Sequence, residues 1–347
     1  MRVSPLFSVV VPVRDVAPYL RECLDSLLAQ TFGDWEAVCV DDGSTDESGA
    51  ILDEYASRDG RFRVIHQANA GVCAARNLGI DMSSGEYVTF LDGDDAYEPF
   101  WLGSFKEAID GTGADLVRLR QTVWDGHATR IVHGARGGLK TYSSDREIAD
   151  WGFAAYTAEG WSWLNAVRRS CLEGTDRVRF PVGMKLMEDN IFMLQVLRRV
   201  RKACQGEVAG YLYRQRPSSA SAATRSVQTV ARLFDEAAPF FADASKKNRR
   251  RLSWMLGGAV LEWRKFRDKA EAGADEVAIG RLVNAGKSSM FSLSSVPARW
   301  RLGFAALLSL RTFSVLDSLL RAQRFLFDIR RHPCKQKMKS RFSFCDK

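Results

Sequence analysis

Tyr87-Val88-Thr89-Phe90-Leu91-Asp92-Gly93-Asp94-Asp95 runs an apolar strand straight into three carboxylates. Acids this close repel one another unless something positive sits between them, and a hard divalent cation with oxygen ligands is the usual answer. Asp92 and Asp94 are therefore the candidate metal ligands, for an ion that would in turn hold a diphosphate. A plainer reading competes: Asp-Gly and Gly-Asp are common turn dipeptides, and acids at a strand end are usually solvated. A calcium loop of the EF-hand kind is excluded, because Ala96 stands at the third ligand position and Tyr97 at the turn-glycine position.

Upstream, Phe7 to Val11 is a short β-branched run of the kind buried on both faces of a sheet, and it ends at Pro12. Pro18 can occupy a first helical turn, and Leu20, Cys23, Leu24, Leu27 and Leu28 follow at helical spacing until Thr31 and Gly33 close the helix. The pattern repeats with a strand from Trp35 to Val40, the loop Asp41-Asp42-Gly43-Ser44-Thr45-Asp46, and a helix striped by Ile51, Leu52 and Tyr55. Ser44 and Glu47 match a capping box, which leaves Asp42 free at the strand's carboxyl end. A third strand, Phe62 to Ile65, leads through Asn69-Ala70-Gly71 into a helix carrying Ala74, Leu78 and Met82.

This alternation predicts an α/β fold, a mostly parallel sheet with helices on both faces. Ligands of such sheets bind beyond the carboxyl ends of the strands. Pro12, Asp42, the Asn69 to Arg76 stretch and Asp92 to Asp95 should therefore gather along one edge. None of these loops is a G-x-G-x-x-G fingerprint or a Walker loop, which argues against a dinucleotide or an ordinary nucleoside-triphosphatase site.

Downstream, a helix through Trp101, Phe105 and Ile109 precedes a strand from Asp115 to Trp124. Segment 125–140 reads as a flexible loop or a small β excursion. Trp161, Trp163 and Leu164 form an aromatic patch, and Glu188-Asp189 opens a helix, where acids suit the helix dipole whether or not they have another role. Beyond Arg225 the patterns are helical, dividing the chain into 1–225, a helical C-terminal extension over 226–331, and a basic tail over 332–347.

The chain has 347 residues and a net charge of +8, which calls for anionic company. Nucleic acid is disfavoured, because the basic residues are not interleaved with aromatics in a recognised module. The scattered cysteines include no C-x-x-C pair and read as the reduced thiols of a cytoplasmic protein. Pro12, Arg14 and Asp15 interrupt any signal-peptide core. The charge-free run from Leu302 to Leu310 falls far short of the roughly 20 residues a spanning helix needs. Segment 299–331 sets Arg301, Arg311, Arg321 and Arg324 beside an apolar stripe. It suits peripheral contact with the inner face of a membrane, packing on the first domain, or an oligomer contact.

Together, Val9-Val10-Val11-Pro12, Asp41 to Asp46, Asn69-Ala70-Gly71 with Ala75-Arg76-Asn77, Leu91 to Asp95 and Glu188-Asp189 resemble glycosyltransferase family 2 over residues 5–225. The resemblance implies a GT-A type, Rossmann-like fold and metal-dependent inverting transfer. A sugar would pass from a nucleotide-diphospho-sugar, a UDP-sugar by preference, to a hydroxyl of a glycan or lipid-linked acceptor in bacterial surface polysaccharide synthesis, with Mn2+ or Mg2+. It further implies that Pro12 and Val13 line the nucleobase pocket, that Asp42 accepts a hydrogen bond from the base, and that Asn69 and Arg76 lie near the nucleotide. Asp92 and Gly93 would face the nucleotide-sugar, Asp94 would be the direct metal ligand, and Asp95 would face the sugar or acceptor. Asp189 matches the catalytic base, with Glu188 next in line. Arg214 and Arg216 would touch diphosphate or else end a solvated strand, and Trp163 would stack on a sugar or sit in the core.

Two rivals remain. A sugar-phosphate nucleotidyltransferase should open with a Gly-rich, basic phosphate loop, which Val11-Pro12-Val13-Arg14 lacks. The other is a non-catalytic, basic, membrane-surface binding protein.

Overall fold

Every residue of strand β1 (Phe7–Val13) is buried, as its nearly continuous apolar run requires, and its one polar side chain, Ser8, donates to Glu36 at 2.6 Å. It pairs in parallel with β2 (Trp35–Asp41) on one side and β4 (Tyr87–Phe90) on the other, and β2 pairs in parallel with β3 (Phe62–His66). The computed structural model describes residues 4–124, 129–132, 138–157, 160–184, 186–215 and scattered positions from 232 to 255. All belong to the first of two compact units, Met1–Ala278. Arg216, most of the 226–331 region, the 299–331 segment and the tail lie outside the described residues.

The helices α1 (Ala17–Leu28), α2 (Ser48–Arg58) and α3 (Val72–Met82) follow β1, β2 and β3 in the predicted alternation. Helix α3 lies hard against β1: a Cβ at Gly79 would fall 2.3 Å from Val10 Cγ1. The expected capping box does not form. Helix α2 begins after Glu47 with no side-chain cap, because Ser44 is drawn elsewhere, its Oγ accepting from the Asp15 N–H at 3.2 Å. The start of α2 and the loop before it instead cap α1, with Ser48 Oγ accepting from Val16 N–H and Asp46 Oδ2 from Ala17 N–H.

Past β4 come β5 (Ala96–Tyr97), α4 (Trp101–Thr112), β6 (Leu116–Trp124), β7 (Thr129–Val132), β8 (Lys140–Tyr142) and α5 (Asp145–Tyr156). Strand β9 (Asn165–Arg168), α6 (Glu188–Leu197) and β10 (Ala203–Arg214) complete the described elements. The sheet order is β3-β2-β1-β4-β9-β6-β10-β5, with β7 on β6 and β8 on β10. Because β9 is antiparallel to both β4 and β6, β6 and its parallel neighbour β10 point the same way as β1 to β4. The long strands thus present their carboxyl ends at one edge, and the opposed strands are the short ones. The β excursion in segment 125–140 is β7 with the start of β8. Among the described residues no helix is long and apolar enough to cross a membrane.

Candidate active site

The acidic turn leaves β4 where pairing with β1 stops, and the Leu91 N–H still donates to Val10 O at 3.0 Å. Gly93 is seated against the end of β1, where a Cβ would meet Val13 Cγ2 at 3.2 Å and Pro12 O at 3.3 Å. That close approach sets the turn beside Pro12 and Val13. Of the three acids, Asp92 and Asp94 stay partly exposed and Asp95 is turned inward, only 2% exposed. Asp95 accepts from the Tyr211 hydroxyl at 2.6 Å and from the Arg214 N–H at 2.8 Å. Burial pushes its carboxyl well above the usual range, and Asp92 and Asp94 add to the rise. Asp95, expected to face sugar or acceptor, here has both of its oxygens hydrogen-bonded to the last strand.

Arg76, from the second turn of α3, is the centre of the cluster. Its Nη2 donates to Asp92 Oδ1 at 2.8 Å, its Nη1 to Asp189 Oδ1 at 3.3 Å, and Glu188 Oε1 lies 3.8 Å from Nη1. The guanidinium is buried and lies 5.3 Å from the Phe180 ring centroid. Burial opposes its charge, but Asp92, Asp189 and Glu188 outweigh burial and hold it protonated. Asp189 is itself 8% exposed, and burial pushes its carboxyl up to about 7, with Glu188 adding to the rise and Arg76 opposing it. The helix bearing it starts abruptly after Met187, whose φ of 56° is a left-handed backbone for a side-chain-bearing residue.

Asp42 is not left free. Its Oδ1 accepts from Gln67 Nε2 at 2.6 Å and Ala70 N–H at 2.7 Å, and its Oδ2 accepts from Gly71 N–H at 2.9 Å. A carboxylate offers about four lone-pair directions, so one remains for a ligand. The same bonds fold the Asn69 stretch onto Gly43, where a Cβ would meet Asn69 N at 2.8 Å. Asn69 is exposed at this mouth.

The remaining candidates sit apart from that centre. Arg214 Nε donates to Asp94 O at 2.8 Å and its Nη2 to Glu22, so it ties the turn to α1. Trp163 is nearly buried between Trp161 at 5.9 Å and Tyr213 at 6.1 Å, its ring nearly parallel to both. Trp161 is the more exposed of the two tryptophans. For a cation, Asp92 and Asp94 supply hard oxygen donors from one turn. Among the described residues no group of three or more His, Cys, Asp or Glu could hold an ion alone. Two carboxylates completed by substrate phosphate and water are the donor set Mg2+-like ions accept, so the residues fit.

The model for glycosyl transferase family 2 matches residues 8–164, from β1 to the turn before β9. Residues 8–164 belong to glycosyl transferase family 2. The chain is 33% identical over 216 residues to "Uncharacterized glycosyltransferase EpsJ" of Bacillus subtilis, covering 62% of each. It is 43% identical over 115 residues to "Glycosyltransferase GlyG" of Streptococcus pneumoniae, covering 33% of this chain and 38% of that one. It thus spans less than two thirds of these curated relatives. The crystal structure of S. aureus TarS 1-349 in complex with UDP-GlcNAc has the same fold, with a TM-score of 0.72 at 20% identity and 87% of each chain covered.

Three further residues to which the sequence assigned no site role also shape the site. Asn77 holds the loop leading to Asp189, its Nδ2 donating to Phe180 O at 2.9 Å and its Oδ1 accepting from Phe180 N–H at 2.8 Å. Phe180 stacks on Phe192 at 3.9 Å beneath Arg76. Tyr211 reaches the acidic turn from β10. The available signal for Asn77 was its place beside Arg76 in the Ala75-Arg76-Asn77 stretch; the two aromatics look like ordinary core.

Proposed function

We propose that this chain is a metal-dependent inverting glycosyltransferase. It moves a sugar from a nucleotide-diphospho-sugar, a UDP-sugar by preference, to a hydroxyl of a glycan or lipid-linked acceptor in bacterial surface polysaccharide synthesis. The observation that carries this reading is the shared guanidinium of Arg76, which joins Asp92 of the acidic turn, 16 positions away in sequence, to Asp189, 113 positions away. One side of that cluster suits a departing diphosphate and the other an incoming hydroxyl.

Asp189 is the general base. A carboxylate whose pKa is near 7 is half-ionised at neutral pH and accepts a proton with little excess driving force in either direction. Arg76 steadies its charged form and fixes its distance from Asp92. Asp42, with its remaining lone pair, accepts from the nucleobase, and Pro12 and Val13 wall that pocket. A divalent cation on Asp94 and Asp92 would supply Lewis-acid stabilisation of the charge left on the diphosphate. Direct displacement inverts the anomeric carbon and needs no enzyme nucleophile.

TarS, a fold neighbour, was crystallised with UDP-GlcNAc, which supports uridine. The described cysteines are free and buried, which suits the reducing cytoplasm. The test is a panel of UDP- and GDP-sugars scored for thermal stabilisation and turnover with and without Mn2+. One donor class should stabilise the chain, and turnover should vanish in chelator and in Asp94→Ala. Full turnover in chelator would remove the cation from the mechanism. Asp189→Asn should retain donor stabilisation while losing transfer by 100-fold or more, on the order expected for a general base.

A further inference from the structure

Three acids crowd the turn after β4, and this reading uses two of them as cation donors. What selects the pair comes from β10, the last described strand. The Tyr211 hydroxyl accepts from the Asp92 N–H at 3.3 Å and donates to Asp95 Oδ2 at 2.6 Å, so one phenol bridges the first and last acids of the turn. Three residues on, the Arg214 N–H donates to Asp95 Oδ1 and its Nε to Asp94 O, each at 2.8 Å. Tyr211 has no freedom to turn away. It is fully buried, with the rings of Tyr97 at 5.7 Å and Trp163 at 5.9 Å against it.

We infer that Tyr211 and Arg214 are positioning residues that fix which acids of the turn serve a cation. They draw the Asp95 carboxylate inward, leave Asp92 and Asp94 as the donor pair, and so set cation affinity. The inference rests on the metal-dependent reading of the site. Removing the phenol oxygen leaves Asp95 Oδ2 buried without its donor, and a buried acceptor without a partner is costly. The turn relieves that cost by rotating Asp95 toward water, which moves Asp92 and Asp94 with it. Partners that orient metal ligands from behind typically tune affinity in this way.

The experiment titrates Mn2+ into the full chain with UDP present and reads free Mn2+ by electron paramagnetic resonance. Tyr211→Phe keeps the ring and loses the oxygen. It should weaken Mn2+ uptake about tenfold, leave UDP affinity without metal unchanged, and regain turnover at high Mn2+. Arg214→Lys keeps the backbone N–H to Asp95 and loses the Nε bond to Asp94. It should weaken uptake severalfold, and it supplies the same readout should Tyr211→Phe fail to melt cooperatively. Wild-type Mn2+ affinity in both variants overturns the inference alone. Equal loss of metal-free UDP affinity also overturns it, because the two residues would then act on the nucleotide. No Mn2+ uptake by the unaltered chain in the presence of UDP overturns the metal-dependent reading, and the inference with it.

Discussion

Arg76 sets one positive charge against three carboxylates in a nearly dry setting, so its removal is felt first as repulsion. Truncating one partner of a buried ion pair costs about 3 kcal/mol or more, because the charges left behind stay desolvated. Arg76→Ala should lose that much in urea denaturation at pH 7, and the deficit should shrink as falling pH protonates the abandoned acids. Asp189 gives the opposite slope. Its folded-state pKa of about 7 lies above the ordinary 3.8, so between those values the folded chain holds a proton that the unfolded chain has released. Its contribution is therefore favourable at low pH and decays as pH rises toward 7. Asp189→Asn has no such decay, so its melting temperature relative to the unaltered chain should climb between pH 4 and 7. A flat difference across that range would place the Asp189 pKa near its ordinary value. The residue types of this cluster are legible in the sequence. Their partners are not, since nothing in Ala75-Arg76-Asn77 says that the arginine turns toward acids 16 and 113 positions away.

Elements meet the site through their loops, and the loop after β2 is the most elaborately tied. Asp41, on the last residue of β2, accepts from the Ser44 N–H and from His66 Nδ1 at the end of β3, while His66 Nε2 meets Asp53 of α2. Hydrogen bonds to Asp41 and Asp53 raise the His66 pKa, burial opposing them only in part. A raised histidine pKa contributes stability that is complete below the ordinary histidine value and is lost as pH climbs through the raised one. His66 is half exposed, so solvent screens the effect and global stability barely records it. The local consequence is measurable: Ser44 amide exchange, corrected for intrinsic rate, should accelerate across that upper range, and His66→Gln should abolish the step. Because Asp42 follows Asp41 directly, the same step should appear as weaker nucleotide affinity at high pH.

Across the whole molecule, legibility follows the distance over which each strand finds its neighbour. Strands β1 to β4 are short, mostly apolar runs with amphipathic helices between them, so composition and alternation specify them locally. Strand β9 has four residues, too few for any period, and is defined by slotting between β4 and β6. Strand β10 is long, but Gly206 and Gly210 blank two positions of its pattern; a Cβ at Gly210 would lie 2.8 Å from Trp101 Cε3. The carboxyl-end edge was legible because strand direction implies it. The inward turn of Asp95 was not, since it depends on a phenol far along the chain. That separation also bears on how the protein is made. A ribosome delivers Asp92 119 positions before Tyr211, and domains condense from the amino end as they emerge. The acids at the front of the molecule therefore wait, hydrated and mutually repelling, while the next 119 residues are made, and the turn takes its final shape only when β10 arrives to close it.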